Sequence, residues 1–230
     1  MPNLPGPTIA IVGFLAIAGS ISGTPDSAKS RATSRTATRV PYIEGMANSR
    51  SGKARAQVIS SREVFRGPAF WVSTDNVLEP GGVRARRDIV RHTGSVVILA
   101  VEESHSELRV LLVRQYRHAA QQFLWELPAG RNDKGEAELA AAKRELREET
   151  GYTAAKWKRI LKFYASPGFL AETMSIYLAR GLRPGIAKPE EDERISTRMF
   201  PLSDAVRMVI SGKISDGKTI VGVLWLSHEK

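Results

Sequence analysis

Residues 130–152 read GRNDKGEAELAAAKRELREETGY, a run in which apolar and charged positions alternate at helical spacing over 136–150. At about 100° per residue, Glu145, Glu148 and Glu149 fall within an arc of about 100°, so the three carboxylates can reach one point in space. Negative charge near a helix C-terminus opposes the macrodipole and costs roughly a few tenths of a kcal/mol per residue, which calls for a compensating cation. A hard divalent ion suits that point. Mg²⁺ takes oxygen ligands, keeps several waters, and is held by a few carboxylates together with substrate phosphate oxygens. The metal therefore points to a phosphate-bearing substrate. The bland alternative is a solvated acidic face.

Several neighbours are needed to hold that geometry. Leu139, Ala142 and Leu146 form a stripe expected to pack on a sheet and fix the helix. Arg144, four residues before Glu148, is placed to orient that carboxylate by a charge-assisted bond. Gly130 permits the turn that leaves the preceding strand, and Gly151 suits the left-handed residue that ends the helix.

The rest of the chain supplies the frame. Strands are expected over 70–78 and 83–92, joined by a turn at Pro80, Gly81 and Gly82. Apolar runs at 95–101 and 109–115 read as central strands, and 123–127 continues the sheet. After the helix come strands near 157–164, 174–179 and 194–200. Two short helices, 203–211 and 216–226, close the chain, with Ser203 and Ser215 as N-caps and Gly212 as a stop. Strands grouped around one long helix give an α+β architecture with a mixed sheet.

Composition sets wider bounds. At 230 residues and 42% hydrophobic content, the chain suits one domain with an appendage. With no cysteine, disulfides, thiolate metal sites and cysteine nucleophiles are excluded. The net charge of +10 is half accounted for by residues 1–55, so charge alone does not argue for nucleic acid. That segment is rich in Ser, Thr, Ala, Gly, Pro and Arg, and is expected to be a disordered or non-native extension, with translation starting near Met46 as one reading. Its apolar run 9–19 is too short to span a membrane and lacks basic residues before it, so a cytoplasmic protein is expected, with export through residues 1–22 the lesser alternative. The expected division is 1–55 extension, 56–94 strand region and 95–230 main domain.

Gly130, Glu136, Arg144, Glu145, Leu146, Glu148, Glu149, Gly151 and Tyr152 match the Nudix box without a gap, and on these residues the chain resembles a Nudix hydrolase. The resemblance implies an α/β/α sandwich whose box loop and helix bind Mg²⁺, or Mn²⁺. It implies Glu145, Glu148 and Glu149 as metal ligands, the Ala129 backbone carbonyl as a further one, and Glu136 as support for loop and helix. Over about 58–200 the chain is similar to the ADP-ribose pyrophosphatase branch. The similarity rests on RDIVRHTGSV at 87–96, QYR at 115–117, ELPAG at 126–130, Pro167 sixteen residues after Gly151, and the acidic EDE at 191–193.

That branch implies an ADP-ribose substrate and Glu172 as a glutamate that activates water; the mechanism expected from these residues has two or more metal ions on the diphosphate, with Glu172 and Glu148 in catalysis. The branch also implies a homodimer formed through the strands before Ser95. Arg117 either holds a substrate phosphate or pairs with a strand neighbour; a guanidinium fork matches phosphate well. Trp71 either stacks on adenine or packs in an interface. Pro167 and Gly168 either touch substrate or simply make a turn. His92 and His105 lack ligand spacing and read as structural or surface residues. Two competing functions remain open: hydrolysis of another nucleotide sugar, such as ADP-glucose or GDP-mannose, and a noncatalytic ADP-ribose sensor. A substrate panel separates the first, and metal-stimulated phosphate release separates the second. No membrane or nucleic-acid partner is expected.

Overall fold

The computed structural model describes residues 55–103, 107–188 and 194–229. Expectations for the N-terminal tail through residue 54, including the apolar run and Met46, lie outside the described residues, as do those for His105 and the acidic 191–193.

Strands β1 (Gln57–Arg66), β2 (Trp71–Leu78) and β3 (Arg84–Arg91) form a separate antiparallel sheet in the order β1-β2-β3. The β2–β3 hairpin closes where Gly81 and Gly82 take φ of 91° and 84°, a backbone that side chains with a Cβ adopt rarely. β1 is exposed along its whole length and is bulged between Val58 and Ser60 and between Glu63 and Phe65.

The main sheet contains β4 (Ser95–Glu103), β5 (Leu108–Arg117), β6 (Gln122–Glu126), β7 (Ala129–Arg131), β8 (Thr153–Tyr164), β9 (Thr173–Arg183) and β10 (Ser196–Pro201). Its order is β10-β5-β4-β9-β8, with β6 paired to β5 and β7 to β4. Among the described residues of this sheet only the β4–β9 pair is parallel, so the sheet is mixed, as expected. Val96 through Val101 are all fully buried because successive side chains enter opposite layers. Val97, Leu99 and Val101 pack towards α2 (Leu202–Ile210) and α3 (Gly217–His228), through Leu202, Ala205, Val223 and Leu226. Val96, Ile98 and Ala100 pack against α1 (Glu138–Thr150), through Ala141, Ala142 and Leu146. Helices on both faces make the α/β/α sandwich.

Some local expectations are corrected. Leu139 remains 37% exposed, and Ala141 takes its place in the core. The cause is Glu138, which binds Ser175, Lys162 and Arg159 of the sheet and so sets the rotation of α1, leaving Leu139 about 100° away. Helix α2 starts at Leu202, after Pro201, without a side-chain cap. Helix α3 is capped by Asp216 rather than Ser215, because the longer carboxylate reaches the Thr219 N–H at 3.0 Å. The three-residue strand β7 was not anticipated. Among the described residues, no helix is long and apolar enough to cross a membrane.

Candidate active site

The strand β7 and the helix α1 bring the box together. Gly130 pairs with Val96 of β4, and its Cα faces the end of Glu145 so closely that an added Cβ would lie 1.9 Å from the carboxyl carbon. Close approach, not a turn conformation, therefore explains this glycine, since its φ is not positive. Gly151 does take the left-handed φ of 75° and donates its N–H to the Arg147 carbonyl, ending α1. A Cβ at Gly151 would also strike the backbone of Gly185 to Ala187.

Arg144 is the hub. Its Nε and Nη2 grip Glu136 at 3.1 and 3.0 Å, while Nη1 reaches Glu145 at 2.7 Å and Glu148 at 3.1 Å. Nη2 also donates to the Arg131 carbonyl at 3.2 Å, tying the loop to the helix. The reach is wider than a single bond to Glu148. The hydrogen bond to Glu136, then the charge and bond of Glu145 and the bond to Glu148, raise the Arg144 pKa against the opposing effect of burial. Glu136 is held below the ordinary carboxylate value by the same guanidinium, and it accepts the Asp133 N–H at 3.3 Å.

Glu149 is buried at 5% exposure and accepts the Ala129 N–H at 3.2 Å. The three expected ligands are thus brought to one region of helix and loop, but not to one point. Glu145 and Glu148 meet at Arg144, and Glu149 points to β7. Among the described residues, no three His, Asp or Glu side chains form a ready metal cage. The donor set nevertheless fits a hard cation. It offers oxygen atoms only, two carboxylates already converge on one positive group, and the missing Cβ of Gly130 leaves the space that the Glu145 carboxylate occupies.

Other expected residues lie around this core. Arg117, at the end of β5, forms a two-bond fork with Glu126 of β6, both contacts 2.8 Å. This is the strand-neighbour pairing. Glu149 also acts on the Arg117 charge, so the guanidinium stands within the electrostatic range of the box. Trp71 opens β2 under the Arg66 guanidinium, 5.2 Å from the ring centroid. It lines a pocket of ≈ 200 Å³ with Arg66, Phe70, Thr93, Arg131 and Lys134. Pro167 and Gly168 form a turn closed by the Ser166 carbonyl, which accepts from Phe169 and Leu170. The turn clips onto β3 through Val90 N–H to Phe169 carbonyl and Ala171 N–H to Val90 carbonyl, at 2.8 and 2.9 Å.

Sequence reading missed three partners of these residues. Ser95 donates to Glu172 at 2.6 Å, and His92 Nδ1 lies 3.6 Å from the same oxygen. Both the Glu172 and His92 side chains are 14% exposed, so neither is a surface group. His92 Nδ1 accepts the Gly94 N–H at 3.0 Å, which puts the proton of the neutral ring on Nε2. Lys218, from the first turn of α3, contacts Glu126. Nothing in its local sequence marks it, because the contact spans ninety-two positions.

A NUDIX domain model matches residues 90–220. The chain belongs to the Nudix family. The chain is 37% identical over 172 residues to an ADP-ribose pyrophosphatase of Bacillus subtilis (strain 168), covering 74% of this chain and 91% of that protein. It is 38% identical over 172 residues to an ADP-ribose pyrophosphatase of Mycobacterium tuberculosis (strain ATCC 25618 / H37Rv), covering 73% of this chain and 81% of that one. Among solved structures it resembles one described as an ADP compounds hydrolase, with a TM-score of 0.64 at 22% identity, covering 76% of this chain and 96% of the other. At that identity the likeness speaks for the Nudix fold alone. The chain is a Nudix hydrolase, and such enzymes generally use divalent metal ions.

Proposed function

We propose that this Nudix hydrolase cleaves the diphosphate of a nucleoside diphosphate sugar, with ADP-ribose as substrate and AMP and ribose 5-phosphate as products. The carrying observation is the Gly130–Glu145 contact, which sets a carboxylate-bearing helix against the box loop in a chain whose relatives include two ADP-ribose pyrophosphatases. Glu145, Glu148, Glu149 and the Ala129 carbonyl would hold Mg²⁺ or Mn²⁺. A divalent ion bound there supplies neutralisation of the diphosphate charge and a water of lowered pKa.

The chain's own residues do the rest. Arg144 keeps Glu145 and Glu148 in register with the loop, limiting the reorganisation needed when substrate arrives. Arg117 presents a guanidinium edge to a phosphate oxygen, while its other edge stays on Glu126. The Trp71 pocket, rimmed by Arg66, Arg131 and Lys134, takes the base end of the substrate, with the ring as a stacking surface once Arg66 withdraws. Glu172 accepts the proton of the attacking water. Its hold on Ser95 keeps the carboxylate near β4 until the 166–172 loop moves.

We also propose a homodimer joined through the N-terminal strands. The support is β1, an edge strand with Val58, Ile59, Val64 and Phe65 each about half exposed, a surface that solitary proteins normally cover or charge.

The test is hydrolysis of a panel containing ADP-ribose, ADP-glucose and GDP-mannose, with Mg²⁺ and then Mn²⁺. ADP-ribose is expected to give the highest kcat/KM, and Glu149→Gln is expected to lower it at least about a hundredfold with the fold intact. A faster GDP-mannose reaction would overturn the substrate assignment. Undiminished turnover in Glu149→Gln would overturn the site.

A further inference from the structure

Glu126 is a carboxylate at 1% exposure at the end of β6. A buried charge of this kind requires full pairing. Its Oε1 accepts from Arg117 Nε at 2.8 Å; its Oε2 accepts from Arg117 Nη2 at 2.8 Å and from Lys218 Nζ at 2.5 Å. Lys218, itself only 9% exposed, also donates to Asp216 Oδ1 at 2.9 Å. Asp216 Oδ2 in turn accepts from the Thr219 N–H at 3.0 Å and from the Thr219 hydroxyl at 2.5 Å, while that hydroxyl accepts the Leu127 N–H at 2.8 Å.

Two carboxylates and two cations thus close a charge-balanced set that fastens the start of α3 to β6. Burial pushes the Glu126 carboxyl up, but the hydrogen bonds from Arg117 and Lys218 outweigh it and keep the group ionised. Arg117 is the one member with a polar atom to spare. Its side chain is 41% exposed and, among the described residues, Nη1 has no hydrogen-bond partner. A guanidinium whose plane is fixed by a fork on one side loses less freedom when its other edge binds an anion.

We propose that Lys218 is a positioning residue for the substrate diphosphate. It fixes the torsion of Glu126 and shares its negative charge, so that Arg117 is held in one orientation and keeps positive charge for a phosphate oxygen at Nη1. The inference rests on Arg117 as a phosphate contact. It makes the C-terminal helix, whose first turn supplies Lys218, part of the substrate site.

Steady-state kinetics on the full chain with ADP-ribose and Mg²⁺ test this through Lys218→Met, Lys218→Arg, Arg117→Lys and the Lys218→Met/Arg117→Lys pair. Lys218→Met is expected to raise KM about tenfold with kcat within about twofold, because orientation of a binding group is lost. Lys218→Arg keeps the charge and is expected to stay within about threefold of wild type. Arg117→Lys raises KM by itself, and Lys218→Met then adds less than about twofold, since the fork it served is gone.

A KM unchanged in Lys218→Met, or a full multiplicative effect in the pair, overturns the role of Lys218 while leaving Arg117 in place. An unchanged KM in Arg117→Lys overturns the reading of Arg117 itself and the role of Lys218 with it. Should Lys218→Met fail to fold, Glu126→Gln/Lys218→Met removes the unpaired charge. Its KM is expected to rise about tenfold, and a wild-type KM there is the contrary result. A purely structural Lys218 would lower the melting temperature and leave the KM of folded molecules unmoved.

Discussion

Gly130→Ala separates catalytic geometry from stability. The added Cβ would sit 1.9 Å from both the carboxyl carbon and Oε1 of Glu145, and ordinary contact begins near 3.4 Å, so the carboxylate must withdraw by about 1.5 Å. The withdrawing atoms are the far end of a flexible side chain. Gly130 has no positive φ, so alanine adds no backbone strain there. The stability cost is then the Arg144–Glu145 contact on a side chain 13% exposed, about 1 kcal/mol. For a protein of this size that lowers the melting temperature by roughly 2–4 °C. Catalysis responds far more strongly, because a shift of about 1 Å in a reacting constellation can cost about a hundredfold. Expected, therefore, is a kcat/KM for ADP-ribose with Mg²⁺ reduced about a hundredfold, beside a nearly unchanged circular dichroism melt. Activity within about threefold of wild type would show that the Glu145 position does not matter to the reaction. A melt lowered by tens of degrees would show that the contact is chiefly structural.

Two further outcomes follow from the same network. Glu126 is held below its ordinary value of 4.5, so its contribution to stability is present above that pH and is lost as pH falls through the lower native value. Acid titration of the melting temperature is expected to show a smaller decline below about pH 4.5 in Glu126→Gln than in wild type, and identical slopes would contradict it. Phe65→Lys places charge on the exposed β1 face and is expected to halve the mass seen by light scattering at micromolar concentration. A wild-type monomer, or a dimer indifferent to the substitution, would remove β1 from the interface.

The local pattern of the chain was enough for the box helix, the Gly81–Gly82 hairpin and the buried central strands. Each depends on interactions within a few residues: helical periodicity, a turn that needs positive φ, and a run of β-branched and leucyl side chains. The identities of Glu145, Glu148 and Glu149, and their common face, belong to the same class. Where local signals competed, only the assembled molecule chose. The caps of α2 and α3 fell to Pro201 and Asp216, and Leu139 lost its core place to Ala141 once Glu138 had bound Ser175, Lys162 and Arg159.

What tertiary structure alone decided is which distant groups share a charge. Pairings such as Arg117–Glu126–Lys218, Glu172–Ser95 and Gly130–Glu145 leave no periodic trace, since strand order and helix rotation set them after the chain has folded. Sequence alone singled out Glu145, Glu148 and Glu149 as candidate donors, because donor chemistry is a property of residue type. It could not say that Arg144 would gather two of them while Glu149 turned to the Ala129 N–H, because that division depends on how closely β7 and α1 approach.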